Sequence, residues 1–213
     1  MKVILLIISL FLMSCSEPLE KTLEEKLEVP FEDQVQIDWC VPASVLMCAK
    51  YFANEVGWYD PTFEEYDSGS QQNFINTKLK EYGGTIFYED SQEGAPKSIS
   101  RFMYNYLNIT NTNMAKIKST TYYDEDIGVL GLIREQISYN EKPLIAVIKS
   151  DEIKTHAVVV TGYEEILKTN EISKIYYNDP WFGKTHELRK EWEEISKLSD
   201  RVYITLYFND YYN

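Results

Sequence analysis

The stretch Gln34-Val-Gln-Ile-Asp-Trp-Cys40-Val-Pro-Ala-Ser44 carries a polar loop into an apolar run, with a cysteine at the boundary. Pro42 follows two positions later, and proline is tolerated in the first turn of a helix, where backbone N–H groups have no helical partner. The residues that follow are apolar on most faces. The sequence therefore predicts a buried helix over Cys40–Ala53 whose first residue is a cysteine.

A histidine and an acid lie far downstream, in a region that is rich in β-branched residues. The segment Thr155-His156-Ala-Val-Val-Val-Thr-Gly-Tyr163 puts His156 at the head of a predicted strand. The next predicted strand, Lys174–Asn178, ends in the corner Asn178-Asp179-Pro180. A cysteine, a histidine and an acid that are remote in sequence are typical of a nucleophile, a base and an orienting group that meet in space.

The remaining pattern predicts helices first and an antiparallel sheet last, which is the α+β class. The other predicted helices are Gln71–Tyr82, Pro96–Leu107, Asp124–Tyr139 and Glu187–Leu198, and the other predicted strands are Leu144–Lys149 and Val202–Phe208. The polar stretch Asn108–Ser119 is interpreted as a loop. This division puts Cys40 on the helical half and His156 on the sheet half, so we expect the site to lie in the cleft between them.

The cysteine block and the histidine-to-aspartate block resemble the papain-like cysteine peptidase superfamily. Within it they are most similar to the group related to the bacterial peptidases that cut double-glycine leader peptides during bacteriocin processing. The resemblance spans roughly Val29 to Trp192. It departs from the family at Val41, where members commonly have glycine. Asp179 matches the aspartate of the leader-peptidase group, whereas papain-type enzymes use an asparagine, so the adjacent Asn178 remains an alternative.

The resemblance implies a role for each residue. Cys40 is the nucleophile, His156 the base and Asp179 the group that orients it, while Gln34, six positions before the cysteine, donates to the oxyanion. Gln36 is a second candidate for that donor. A free thiol with a pKa near ~8.5 is mostly protonated at neutral pH, and a helix N-terminus and a nearby imidazolium both favour the reactive thiolate.

Cys48 is the comparison case, because free cysteines are more often buried in a core than catalytic. It lies on the inner part of the same predicted helix. Eight residues of helix separate it from Cys40 by about 12 Å, beyond the reach of a disulfide. We therefore expect Cys48 to be a core residue and Cys40 to be a free thiol.

The N-terminus predicts export. Lys2 precedes the apolar run Val3–Met13, which is too short to span a bilayer as a stable anchor. The box Leu12-Met13-Ser14-Cys15 resembles the cleavage site of a bacterial lipoprotein, in which the cysteine is lipidated. An ordinary signal peptide with a chance cysteine is the alternative.

Three segments follow from this interpretation: a lipoprotein signal peptide over residues 1–14, a tether over 15–28 and a papain-like cysteine peptidase domain over 29–213. Leucines recur every four residues in the tether, which predicts a short helix. The expected location is the cell envelope, lipid-anchored to a bacterial membrane and facing its extracytoplasmic side.

Composition restricts the partners. The formal net charge of −13 opposes binding to nucleic acid and to anionic membrane surfaces, so contact with a membrane is expected only through the lipid. Two histidines and no clustered Cys/His spacing give no metal site, and we expect no cofactor.

The expected function is a lipid-anchored cysteine peptidase that hydrolyses a peptide or protein substrate through a thioester acyl-enzyme. Two alternatives remain. The same acyl-enzyme could transfer its acyl group to an amine and so cross-link, or the chain could be a non-catalytic surface lipoprotein that uses the fold as a binding module.

Overall fold

The computed structural model describes residues 21–58, 61–86, 94–107, 109–116, 129–149, 156–181, 187–190 and 201–211. Its helices are α1 (Cys40–Val56), α2 (Ser68–Tyr82), α3 (Ala95–Leu107) and α4 (Val129–Arg134), with a 3-10 turn at Pro61–Glu65 and a π-helical turn at Glu135–Tyr139. Its strands are β1 (Thr22–Lys26), β2 (Ile109–Lys116), β3 (Leu144–Lys149), β4 (His156–Ile166), β5 (Glu171–Asn178), β6 (Glu187–Lys190) and β7 (Arg201–Tyr211).

Within the described ranges, the seven strands form one sheet in the order β2-β7-β3-β4-β5-β6, with β1 added beside β4. Every pair is antiparallel. β3 pairs with the first half of β4 and β1 with its second half, so the two share one edge of β4 while β5 takes the other. Helices together with an antiparallel sheet confirm the α+β expectation.

The central strand β4 is covered on both faces, which explains its unbroken apolar run. Ala157 and Val159 pack with α1, α2 and α3, whereas Val158 and Val160 pack in a second cluster that includes Ile133 of α4. Successive side chains of a strand point to opposite faces, so this alternation is the expected one. The helices α1, α2 and α3 form a helical layer on one face of the sheet, packed against β4, the strand that begins with His156.

The N-terminal part of the described chain differs from its prediction. Thr22–Lys26 is a strand paired with β4, so the helical prediction for this part of the tether is wrong. Its backbone groups hydrogen-bond to a neighbouring strand, and the Leu27 N–H continues the contact by donating to the Thr161 carbonyl at 2.8 Å. The leucines do not form one buried face, as a helix would require, because Leu27 packs against the second core cluster while Leu23 is exposed. The segment boundaries at residues 14 and 28 stay predictions.

Two further predictions are wrong. Ile109–Lys116, in the predicted loop, is strand β2, which pairs with β7. Glu187–Lys190, in the predicted helix, is strand β6, which pairs with β5, and residues 191–198 of that prediction lie outside the described residues. Both strands are at the ends of the sheet order, and pairing with one neighbour stabilises them without an apolar pattern of their own.

The other helices and strands agree with their predictions apart from their ends. α2 begins three residues early because the Asp67 carboxylate accepts a hydrogen bond from the Ser70 N–H at 2.9 Å and caps the helix. It ends at Gly83 and Gly84, both with positive φ. Residues 124–128 of the predicted fourth helix lie outside the described residues. No helix among the described residues is long and apolar enough to cross a membrane.

Gly162 of β4 lies opposite Lys26 of β1, where the two backbones leave no room for a side chain. A larger residue at this position should therefore lower the stability of the fold. A Cβ at this position would overlap the Glu25 carbonyl oxygen and touch the Lys26 backbone. We expect Gly162→Ala to lower the free energy of unfolding by about 1–3 kcal/mol, measured by urea denaturation, because the β1 backbone must move. The matched control is Gly69→Ala in α2, whose nearest new neighbour is a side-chain oxygen of Asp67 at 3.2 Å. Equal effects of the two substitutions would contradict the close approach.

Candidate active site

Cys40 is the first residue of α1, and its thiol is half-buried. The N-cap residue is Trp39, whose side chain makes no capping hydrogen bond, and the first turn contains no acidic residue. The backbone N–H groups of a first helical turn have no helical partner and carry the positive end of the helix dipole. The local environment of the Cys40 sulfur therefore favours a negative charge.

His156 and Asp179 are hydrogen-bonded to each other. The His156 Nε2 lies 2.7 Å from the Asp179 Oδ1, and both residues are buried, at 6% and 7% exposure. The two residues meet because His156 opens β4 while Asp179 directly follows β5, the neighbouring strand. Asn178, the alternative orienting group, donates its side-chain N–H to the Val29 carbonyl at 3.2 Å instead.

Trp181 completes the surroundings of this pair and was not identified from the sequence. Its backbone N–H donates to the Asp179 Oδ1 at 2.8 Å, and its ring stands edge-on to the His156 ring at 5.7 Å between centroids. Trp181 is 50% exposed, so it lies at the surface next to the buried pair. The available signal was its position in the corner Asp179-Pro180-Trp181, immediately after the acid.

The second ring nitrogen of His156, Nδ1, is not used by Asp179. Nδ1 is buried and has no hydrogen-bond partner among the described residues, and the Cys40 side chain is near enough to the ring to affect its pKa. Burial lowers the pKa of His156, but the hydrogen bond to Asp179 and the nearby Cys40 side chain outweigh it and raise the pKa to about 9. Apo active sites often have loose catalytic hydrogen bonds, so the missing hydrogen bond does not exclude proton transfer. The imidazolium is the main form at neutral pH.

A buried hydrogen bond ties α1, the helix that begins with Cys40, to β4, the strand that begins with His156. Ser44 Oγ donates to the Ala157 carbonyl at 3.2 Å, and both residues are fully buried. Ser44 lies one turn after Cys40, and Ala157 directly follows His156. The bond therefore connects the two elements next to the two reactive side chains.

Gln34 reaches the site through its backbone. Its N–H donates to the Pro180 carbonyl at 2.9 Å, which holds the loop beside the Asp179 corner. Its side-chain Nε2 donates to the carbonyls of Gln36 at 2.9 Å and of Ile37 at 2.7 Å, while the buried Oε1 has no hydrogen-bond partner in the part of the chain that the structure describes. Both amide N–H groups are therefore used within the loop, and donation to an oxyanion requires one of them to be exchanged.

The family described as Peptidase_C39 like family matches residues 26–207. The chain belongs to this family. The match covers most of the 213 residues and confirms, at family level, the resemblance to papain-like cysteine peptidases related to bacteriocin processing. No curated protein matches the chain.

The structure of this Peptidase_C39 like chain thus brings Cys40, His156 and Asp179 together, and it places the Gln34 backbone beside them. The Gln36 side chain is on the exposed part of the same loop. Cys15 lies outside the described residues. No group of three or more His, Cys, Asp or Glu side chains in the described ranges is placed to hold a metal ion.

Cys48 differs sharply from Cys40 although both lie on α1 and both are free. It is completely buried, and desolvation by burial raises the pKa of its thiol far above the usual range. No thiolate forms there at physiological pH, so Cys48 serves as an internal reference for Cys40.

The raised pKa of His156 predicts how stability depends on pH. The folded pKa of about 9 exceeds the ordinary value of 6.5, so the stabilisation is complete below pH 6.5 and is lost as the pH rises through about 9. We expect the unfolding free energy of the wild type, relative to His156→Gln, to fall over this interval by on the order of a few kcal/mol. Urea denaturation at a series of pH values measures it.

The control for this titration is Asp179→Asn, because the Asp179 carboxylate contributes most to raising the pKa of His156. NMR of the imidazole should then show the pKa of His156 shifted downward. A stability difference that does not change with pH, or an unchanged titration in Asp179→Asn, would contradict the assigned hydrogen bond.

Proposed function

We propose that this member of the family hydrolyses peptide bonds through a thioester acyl-enzyme on Cys40, and that it is held at a bacterial membrane by a lipid on Cys15. The observation that supports the catalytic part is the position of His156, which is bonded through Nε2 to Asp179 and leaves Nδ1 for Cys40. This is the order of contacts that a base needs between its orienting group and its nucleophile.

Acylation begins with the thiolate of Cys40 and the imidazolium of His156. The Cys40 sulfur attacks the carbonyl carbon of the scissile peptide bond, the C–S bond forms and the carbonyl oxygen becomes an oxyanion. His156 then gives its Nδ1 proton to the nitrogen of the leaving amine as the C–N bond breaks. The first product leaves, and the acyl group remains on Cys40 as a thioester.

Deacylation uses the same residues in the opposite protonation state. Neutral His156 takes a proton from water, the resulting hydroxide attacks the thioester carbon and the thiolate leaves. The carboxylic acid is released and the imidazolium is restored. Asp179 keeps the ring oriented during both steps, because it accepts the hydrogen bond of Nε2. The proton is thereby held on Nε2, and Nδ1 is the nitrogen that gives and takes the reactive proton.

The oxyanion needs hydrogen-bond donors close to the Cys40 sulfur. The backbone N–H of Cys40 at the start of α1 is one, and the Gln34 amide is the second after it exchanges its bond to the Gln36 or Ile37 carbonyl. Removing one such donor typically lowers turnover by about 10²–10³-fold. We therefore expect Gln34→Ala to slow acylation while the fold is retained.

A substrate that has no sequence requirement tests the catalytic proposal. 4-Nitrophenyl acetate transfers its acetyl group to a reactive thiolate and releases 4-nitrophenolate, which is measured by absorbance. We expect acylation by the full chain to depend on Cys40, with Cys40→Ala reduced to the rate of the uncatalysed reaction because the nucleophile is gone. Mass spectrometry should locate the acetyl group on the peptide that contains Cys40.

Cys48→Ala is the matched control, since the substitution is the same and the position is on the same helix. We expect it to retain acylation and to lose on the order of 1–2 kcal/mol of stability through the cavity it leaves. Labelling of Cys48 with Cys40 unmodified would overturn the assignment of the nucleophile.

The membrane part of the proposal rests on the sequence features at Lys2, Val3–Met13 and Cys15. Only six residues separate Cys15 from Thr22, where β1 begins. An extended chain spans at most ~3.5 Å per residue, so a lipidated Cys15 would hold the start of β1 within about 25 Å of the membrane. We propose that the enzyme works close to the membrane surface.

Cys15→Ser tests the anchor. We expect the wild type to partition into the detergent phase, because a lipoprotein cysteine carries the two or three acyl chains that stable anchoring needs. Cys15→Ser cannot carry them and should move to an unprocessed or soluble pool. Mass spectrometry of the mature N-terminus should find a lipidated Cys15. An unmodified N-terminus at another residue would contradict the anchor and leave the catalytic proposal untouched.

A further inference from the structure

The loop that carries Gln34 is held by a side chain distant in sequence, Gln72 on α2. The Gln72 Oε1 accepts a hydrogen bond from the Val35 N–H at 3.1 Å, and its Nε2 donates to the Asp33 carbonyl at 2.6 Å. These two backbone groups flank Gln34 on either side. Gln72 is completely buried, whereas Val35 is half exposed, so the side chain holds the loop from the inside.

The same loop is fixed from two other directions. The Gln34 N–H donates to the Pro180 carbonyl at 2.9 Å, on the side of the sheet. Before the loop, the Glu32 carboxylate accepts from the Ser68 hydroxyl at 2.5 Å and pairs with Lys50 of α1. The Gln34 backbone is thus held between the helical layer and the corner that carries the aspartate.

Gln71, the adjacent residue of α2, provides a natural comparison. It is also buried, and its Nε2 donates to the Phe63 carbonyl at 2.9 Å, but its Oε1 has no partner. Its contact leads to the 3-10 turn and away from the Gln34 loop. The two glutamines share residue type, helix and burial, and they differ in what they hold.

We propose that Gln72 is a positioning residue for the oxyanion donor and acts through Gln34; this inference rests on the proposed function. The Gln34 amide has to leave one loop carbonyl to reach the oxyanion, so its side chain moves while its backbone must stay in place. The backbone position is set by the two bonds from Gln72 and the one to Pro180. A displacement of about 1 Å in a catalytic group can cost on the order of 10²-fold in rate.

Two reactions of the Cys40 sulfur separate oxyanion stabilisation from nucleophile reactivity. Acylation by 4-nitrophenyl acetate passes through a tetrahedral oxyanion, with the C–S bond formed and 4-nitrophenolate expelled. Alkylation by iodoacetamide displaces iodide at a saturated carbon and forms no oxyanion. A residue that positions the donor should affect the first reaction and leave the second unchanged.

The test variant is Gln72→Met in the full chain, because methionine has a similar length and tolerates buried positions. We expect its acylation rate constant to fall by about 10-fold or more, and its rate of Cys40 alkylation to stay within about twofold of the wild type. Gln71→Met is the control, and its acylation should match that of the wild type. Rates for Cys40→Ala provide the background, and peptide mapping restricts the alkylation measurement to Cys40.

A double-mutant cycle with Gln34→Ala decides whether Gln72 acts through Gln34. If it does, adding Gln72→Met to Gln34→Ala should not slow acylation further, because the donor is already absent. Independent losses that multiply would overturn the proposal and assign Gln72 a general structural role. Should Gln72→Met fail to fold, Gln72→Glu keeps the acceptor for Val35 and removes the donor to Asp33, and unchanged acylation in that variant would also contradict the proposal.

The experiment distinguishes failure of this inference from failure of the proposed function. If the wild type is not acylated at Cys40, the proposed function is wrong and the inference falls with it. If the wild type is acylated and Gln72→Met is acylated equally fast, the function stands and the positioning role is wrong.

Discussion

The packing of α1 against β4 is the contact on which the candidate site depends. Cys40 belongs to the helical layer and His156 to the sheet, and neither element alone determines the distance between them. The buried bond from Ser44 to the Ala157 carbonyl and the apolar packing around it set that distance. Protein interiors are close-packed and resist small deformations, so the two reactive groups are held in place by the core itself.

The elements that position the site were predictable because each is strongly apolar. The run after Cys40 and the strand after His156 are buried on almost every side, and such runs give clear sequence patterns. β1, β2 and β6 escaped prediction for the opposite reason. They contain polar residues and are stabilised by backbone pairing with a neighbouring strand, which requires no alternation of apolar and polar residues in their own sequence.

The site was predictable where a residue occupies the boundary of an element, as Cys40, His156 and Asp179 do. Trp181 and Gln72 were not, since their contribution depends on what they contact in three dimensions. Trp181 stands against the His156 ring, and Gln72 reaches across 37 positions to the loop. The sequence also gave no indication that the Gln34 amide is bonded to its own loop, because two backbone carbonyls outside any regular element determine its direction.

The two cysteines of α1 have the same side chain and very different surroundings, because they occupy different positions on the helix. Cys48 is surrounded by the core, and burial without any cationic partner stabilises its protonated form. Cys40 is partly exposed at the positive end of the same helix and faces a histidine that is protonated at neutral pH. A helix that buried its first turn as deeply as its middle would have two inert thiols. The proposed chemistry therefore depends on where α1 begins, because its first residue is partly exposed and is near enough to His156 to affect the pKa of the ring.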